Sequence, residues 1–266
     1  MEIQWSLVIF TALTGTAGWL LASVAVAELT GVLKKAVFPA GAVAVVLLAV
    51  GGLASVTHLS HPERMLEALN HPTSGIFVEA VLLGVAAVLA VVYLVMLKRS
   101  ASSTAAKVLA VLAAVVGVAL SFMAGASYMM AAHANWNTVL LPLGYLGTTI
   151  PAGIALFLLI SAFTSAGEDL GVFPRLLVAG GIAAAVLAAA DTVAKGGPDA
   201  LLLGWVLAVV VGGVVPAVVG IALDKKPAQL TALAGVAMVC ALVGAVAFRA
   251  DMWTAAQFIH NFFSPL

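Results

Sequence analysis

The chain has 266 residues, of which 64% are hydrophobic and 8% charged, with 11 basic and 11 acidic side chains in balance. Soluble domains carry about 25% charged residues, so this composition, at a mean hydropathy of +1.21, belongs to an integral membrane protein. It excludes a soluble enzyme, the zero net charge excludes a global basic face for nucleic acid, and a lone cysteine, Cys240, excludes an intrachain disulfide or a thiolate metal cluster.

The apolar stretches are about 20 residues or longer, the length a helix needs to cross a hydrocarbon core of roughly 30 Å, and lack the short alternation of an outer-membrane barrel. The expected fold is therefore all-α, a single transmembrane bundle over residues 1–266. Met1-Glu2-Ile3-Gln4 lacks the basic start of a removable signal, so the first apolar run reads as a retained helix. It spans Trp5 to Ala27, with Trp5 as an interfacial anchor. A turn containing Gly31, Lys34 and Lys35 leads to the second span, about Val37 to Val56, which opens near Pro39.

Residues His58 to Gly75 are too polar to span. Met65, Leu66 and Leu69 share one helical face opposite Glu63, Glu67 and Asn70, the pattern of a short helix lying flat at the interface. The third span, about Ile76 to Leu97, has Glu79 in its first turn and ends at Lys98-Arg99. The fourth runs from about Ala106 to Met130 and delivers a polar, aromatic mouth, His133-Ala134-Asn135-Trp136-Asn137-Thr138. Span five, about Val139 to Phe163, is interrupted by Pro142 and Pro151. Pro174-Arg175 opens span six, which reaches about Ala190; Asp191 to Pro198 reads as a turn. Spans seven and eight cover about Leu201 to Leu223 and Leu230 to Phe248.

Eight crossings put both termini on one side. Lys34, Lys35, Lys98, Arg99, Lys107, Arg175, Lys225 and Lys226 belong to one set of loops, against Arg64, Lys195 and Arg249 on the other side. By the positive-inside rule both termini face away from the cytoplasm, in a bacterial cytoplasmic (inner) membrane. His58, His61, His71, His133 and His260 then share the outer side with Glu79, Arg64 and Trp136.

Ionisable groups beside a bilayer core are costly unless paired or wet, and mark function. None of the histidines lies mid-span facing another across two helices, so no haem is expected. There is no G-x-S-x-G of a nucleophilic hydrolase. A lipid-soluble quinol fits better, because its oxidation needs an apolar slot, hydrogen-bonding groups for the ring oxygens and a base that titrates near working pH. The loop brings His58 and Glu79 to one depth. A proton-linked secondary transporter built on Glu79 is the alternative of another class; its usual repeats and mid-bilayer groups are not detected.

His58-Leu59-x-x-Pro62-x-Arg64, followed by Leu66 and Leu69-Asn70, resembles the loop of the dimethyl sulfoxide reductase membrane anchors, the DmsC family. So do the glutamate heading span three, Trp136-Asn137-Thr138 after span four, and Arg249 with Trp253 near the end. Ser60, where the family usually has glycine, and the extra His61 depart from the pattern. The resemblance implies a haem-free anchor that oxidises menaquinol in anaerobic respiration. It would pass electrons to an iron–sulfur subunit feeding a molybdopterin catalytic subunit, both docked on the non-cytoplasmic face. It implies His58 and Glu79 as the proton-handling pair, and a quinol site of His58, Leu59, Arg64, Leu66, Glu79 and Trp136. A polysulfide or nitrite reductase type of quinol anchor is the neighbouring alternative.

Overall fold

A computed structural model describes residues 2–57, 59, 61, 67, 70–99 and 103–255. His58, Arg64 and Leu66, and the flat helix expected around them, lie outside the described residues, as does His260.

Within the described residues the chain is helical, and eight helical segments are long and apolar enough to cross a membrane. Helix α1 is Trp5–Thr30, α2 is Lys34–Val56, α3 is Gly75–Arg99 and α4 is Thr104–Ala126. The fifth span is two helices, α5 Leu140–Thr148 and α6 Ile150–Thr164, followed by α7 Phe173–Lys195. The seventh begins as a π-helical segment, Ala200–Val214, and continues as α8 Val215–Lys225; α9 is Leu230–Thr254. The end of the bundle at which α1, α3 and α5 begin is termed proximal, the other distal.

The spans run a few residues longer than the apolar stretches alone predict. Pro39 accordingly sits in the second turn of α2 rather than the first. Of the two prolines expected to interrupt the fifth span, Pro142 lies harmlessly in the first turn of α5. The break comes at Thr149, ahead of Pro151. With no N–H on Pro151, the Gly147 carbonyl takes the Thr149 N–H instead.

Helix α1 is the central stave, buried along most of its length. Several of its hydroxyls bond within the helix: Thr14 donates to Phe10 O at 2.8 Å, Thr16 to Ala12 O at 2.7 Å and Ser23 to Trp19 O at 3.0 Å. That back-bonding lets polar residues sit in an apolar medium. Helices α1 and α4 cross at Gly18 and Gly117, where a Cβ on Gly117 would stand 2.8 Å from the Gly18 Cα. Without water to drive association between helices in lipid, such close approach of small residues supplies the packing. Gly212 and Gly244 repeat the device between the π-helical segment and α9.

Basic residues divide sharply between the two ends. Lys34, Lys35, Lys98, Arg99, Lys107, Arg175, Lys225 and Lys226 all lie at the distal end and none is buried. There Lys35 pairs with Glu168 at 2.8 Å, and Lys34 stands 3.6 Å from the buried Glu28. Lys195 and Arg249, which the loop count assigns to the proximal surface, are buried inside the bundle.

Candidate functional site

Glu79 sits in the second turn of α3, seven, eleven and fourteen residues ahead of Ala86, Ala90 and Tyr93. Those intervals put all four on one helical stripe. Ala86, Ala90 and Tyr93 are the buried residues of α3, and all lie seven or more residues beyond Glu79 toward the distal end. Glu79 therefore points along the inward stripe at a level where α3 buries nothing, and is itself half-buried.

The protein surface beside Glu79 is the end of α4. The Ser127 side chain is the polar neighbour of Glu79 there, and α3 reaches it because Gly75 passes so close to Ser127 that a Cβ would stand 2.6 Å from Oγ. Ser127 also donates to Met123 O at 2.9 Å. A hydroxyl has one proton and two lone pairs. It can turn its proton toward an ionised Glu79, or keep it on Met123 O and accept from a protonated Glu79.

Beyond Ser127 lies a packed aromatic cluster. The Tyr128 ring meets Trp136 at 6.0 Å and Trp253 at 5.9 Å, both edge-on, and Tyr145 at 5.8 Å. Trp136 meets Trp253 at 5.3 Å and stacks on His133 at 4.3 Å. Edge-to-face contacts of this kind fix ring orientation. Trp136 is buried, and its indole N–H is taken by Met252 O at 2.9 Å. It fastens the loop to α9 and stands one ring away from Glu79's neighbour. Asn135 adds a second tie, to Ala255 O at 2.8 Å. Leu59 is half-buried, its N–H bonded to Val56 O at 3.1 Å as a continuation of α2.

Sequence reading ends the last span at Phe248 and places Asp191 in a turn, and so overlooks a buried ionic set. Arg249 is fully buried, and all five of its N–H groups are used. Nε donates to Thr11 Oγ1 at 2.9 Å, one terminal nitrogen to Thr148 Oγ1 at 3.2 Å and Ala245 O at 2.9 Å, the other to Thr11 O at 3.3 Å and Tyr145 O at 3.1 Å. Its guanidinium lies 4.4 Å over the Tyr145 ring. With no N–H left for a ligand, Arg249 joins α1, α5 and α9 at the break in the fifth span. The carbonyls at that break are well supplied: Tyr145 O also accepts from Ser121 at 3.2 Å, and Leu146 O from the Trp19 indole at 3.0 Å. Nearby, the Lys195 ammonium sits between Asp191 and Asp251, 3.1 Å from the latter, with all three side chains buried. The signals for this set were the i,i+4 spacing of Asp191 and Lys195, and the charged pair Arg249 and Asp251 inside an otherwise apolar run.

Among the described residues no group of three or more histidine, cysteine, aspartate or glutamate side chains is placed to hold a metal ion. No curated protein matches the chain significantly. The family model for the DMSO reductase anchor subunit (DmsC) matches residues 1–196. That stretch carries α1 to α7, with Glu79, Ser127, Tyr128 and Trp136. Eight apolar helices, a carboxylate seated at the head of the third and a matching model over most of the chain agree: this protein belongs to the DMSO reductase anchor subunit family.

Proposed function

We propose that the chain is the menaquinol-oxidising anchor of a molybdopterin oxidoreductase complex, and that Glu79 accepts a proton from the quinol. The observation that carries this reading is the position of Glu79 on the inward stripe of α3, half-buried, with the Ser127 hydroxyl beside it. A quinol ring entering from the lipid between α2 and α3 would reach the carboxylate without crossing the packed bundle. The part of α3 ahead of Ala86, which buries no side chain, supports that route.

Oxidation of a quinol to a quinone releases two protons and two electrons. As Glu79 takes one proton, the Ser127 hydroxyl turns its own proton to Met123 O and accepts from the new carboxylic acid. The partner for the second ring oxygen is assigned to His58 in the loop, with Leu59, Leu66 and Arg64 closing over the ring, an assignment resting on the family motif. The electrons go to an iron–sulfur subunit docked on the proximal face, and from it to a molybdopterin catalytic subunit. The concentration of exposed basic residues at the distal end supports placing that end in the cytoplasm and the proximal face outside. Protons would then be released on the side where a reductase consumes them, and turnover should move little charge across the membrane.

The test is Glu79→Gln in the assembled complex. Quinol-dependent reduction should fall at least a hundredfold, the order by which general-base removal acts, while reduction driven by an artificial dye through the catalytic subunit persists. Unchanged quinol turnover would overturn the proposal. Failure to recover any molybdenum or iron–sulfur partner with the chain would favour a transport function instead.

A further inference from the structure

We infer that the phenol of Tyr128 is a substrate-binding donor of this site, giving its proton in a hydrogen bond to the same quinol oxygen whose proton Glu79 accepts; the inference rests on the proposed quinol site. Three observations lead to it. Tyr128 follows Ser127 directly and is half-buried at the end of α4, within electrostatic reach of Glu79. Its ring is held on three sides by Trp136, Trp253 and Tyr145, so its orientation is set before any ligand arrives. And most competing donors are engaged: Trp136 Nε1 by Met252 O, the Tyr145 hydroxyl by Met252 Sδ at 3.4 Å, every Arg249 N–H by the bonds described above. Among the described residues of the cluster, the Trp253 indole N–H is left over but closed inside it, whereas the Tyr128 hydroxyl is on a half-buried residue and has no hydrogen bond to a described residue.

Burial first, then the nearby Tyr145 and Glu79, push the Tyr128 phenol above its ordinary value, so it remains a donor throughout the working range. A donor aimed at the oxygen that loses a proton gains strength as charge builds there and as the oxygen becomes a carbonyl. It thereby favours the oxidised product over the quinol, the condition for assisting the reaction rather than only binding its substrate. No bond to Tyr128 forms or breaks; its proton stays on the phenol.

Tyr128→Phe keeps the ring and its three aromatic contacts and removes only the hydroxyl. In the membrane-bound complex, kcat/KM for a short-tailed naphthoquinol should fall about tenfold, the order of one lost hydrogen bond, with dye-driven activity and thermal stability unchanged. A second readout is binding of the corresponding naphthoquinone, followed by quenching of tryptophan fluorescence, since Trp136 and Trp253 flank Tyr128. The variant should need about tenfold more quinone and little more quinol. Equal loss for both forms, or unchanged kcat/KM, would overturn the assignment. Glu79→Gln measured alongside separates the outcomes: if it abolishes quinol turnover while Tyr128→Phe is silent, only the role of Tyr128 fails; if both are silent, the quinol site itself fails.

Discussion

At the scale of single residues, the proximal end holds two kinds of charge that do different work. Glu79 is half-buried beside a hydroxyl that can follow its proton, the setting of a group that exchanges with a substrate. Arg249 is closed in and has every donor satisfied by neutral oxygens, the setting of a structural tie. The two should respond oppositely to substitution. Arg249→Ala removes the one side chain that ties α1, α5 and α9 together in a dry interior. A net loss of about 2–3 kcal/mol, the scale of a single hydrogen bond to a charged group, should lower melting of the detergent-solubilised complex by roughly 5–10 °C. Glu79→Gln should leave melting nearly unchanged while removing quinol activity. A thermally silent Arg249→Ala would show that the contacts are replaceable. The position of Glu79 was legible in the sequence, as a carboxylate in an apolar run; its orientation was not, because the stripe through Ala86, Ala90 and Tyr93 is known to face inward only from their burial. Arg249 was visible only as a motif residue near the end, because its partners are carbonyls and hydroxyls on helices far away in sequence, which no local pattern records.

At the scale of elements, most helices were legible as apolar runs, and their ends were not. Apolarity stops where the bilayer does, but a helix continues while tertiary partners hold its last turns. Helix α7 extends to Lys195 and α9 to Thr254 because Asp191, Lys195 and Asp251 meet there and bind the two ends together. Removing the shared cation should be worse than removing the whole set. Lys195→Met should destabilise the complex by about 3 kcal/mol or more, whereas the triple replacement Asp191→Asn, Lys195→Met, Asp251→Asn should recover most of that loss; equal melting of the two variants would contradict it. The crossing of α1 with α4 invites a separate check. Gly117→Val places a branched side chain where the Gly18 backbone lies, and should prevent the assembled complex from accumulating, whereas substitution at Gly235, which has open space around it, should be tolerated.

At the scale of the whole molecule, the two ends of the bundle are chemically unlike. Exposed basic residues mark the distal end, and buried charge with packed aromatic rings marks the proximal one. The structure sharpens the charge asymmetry that the sequence suggests, because Lys195 and Arg249, counted against it from their positions in the chain, are interior. Orientation can be read directly by labelling. With Cys240→Ser as background, a cysteine at Thr73 should react with a membrane-impermeant reagent from outside intact cells, and one at Lys226 only after the cells are opened; the reverse pattern would invert the topology. The family model reaches residue 196, yet the remaining spans are fastened to the matched part through Arg249 and Asp251.

The same two side chains bear on how the protein is made. A charged residue raises the cost of a lone helix's entry into lipid, by about 2.5–3.5 kcal/mol at its centre and less toward its ends, and α9 carries an arginine and an aspartate two residues apart in its last two turns. Emerging last of the described helices, it finds Thr11, Tyr145, Thr148, Asp191 and Lys195 already in the membrane. Its insertion is therefore a docking step into a waiting bundle, and a version of the chain in which α9 is synthesised without those earlier helices should fail to stay in the bilayer.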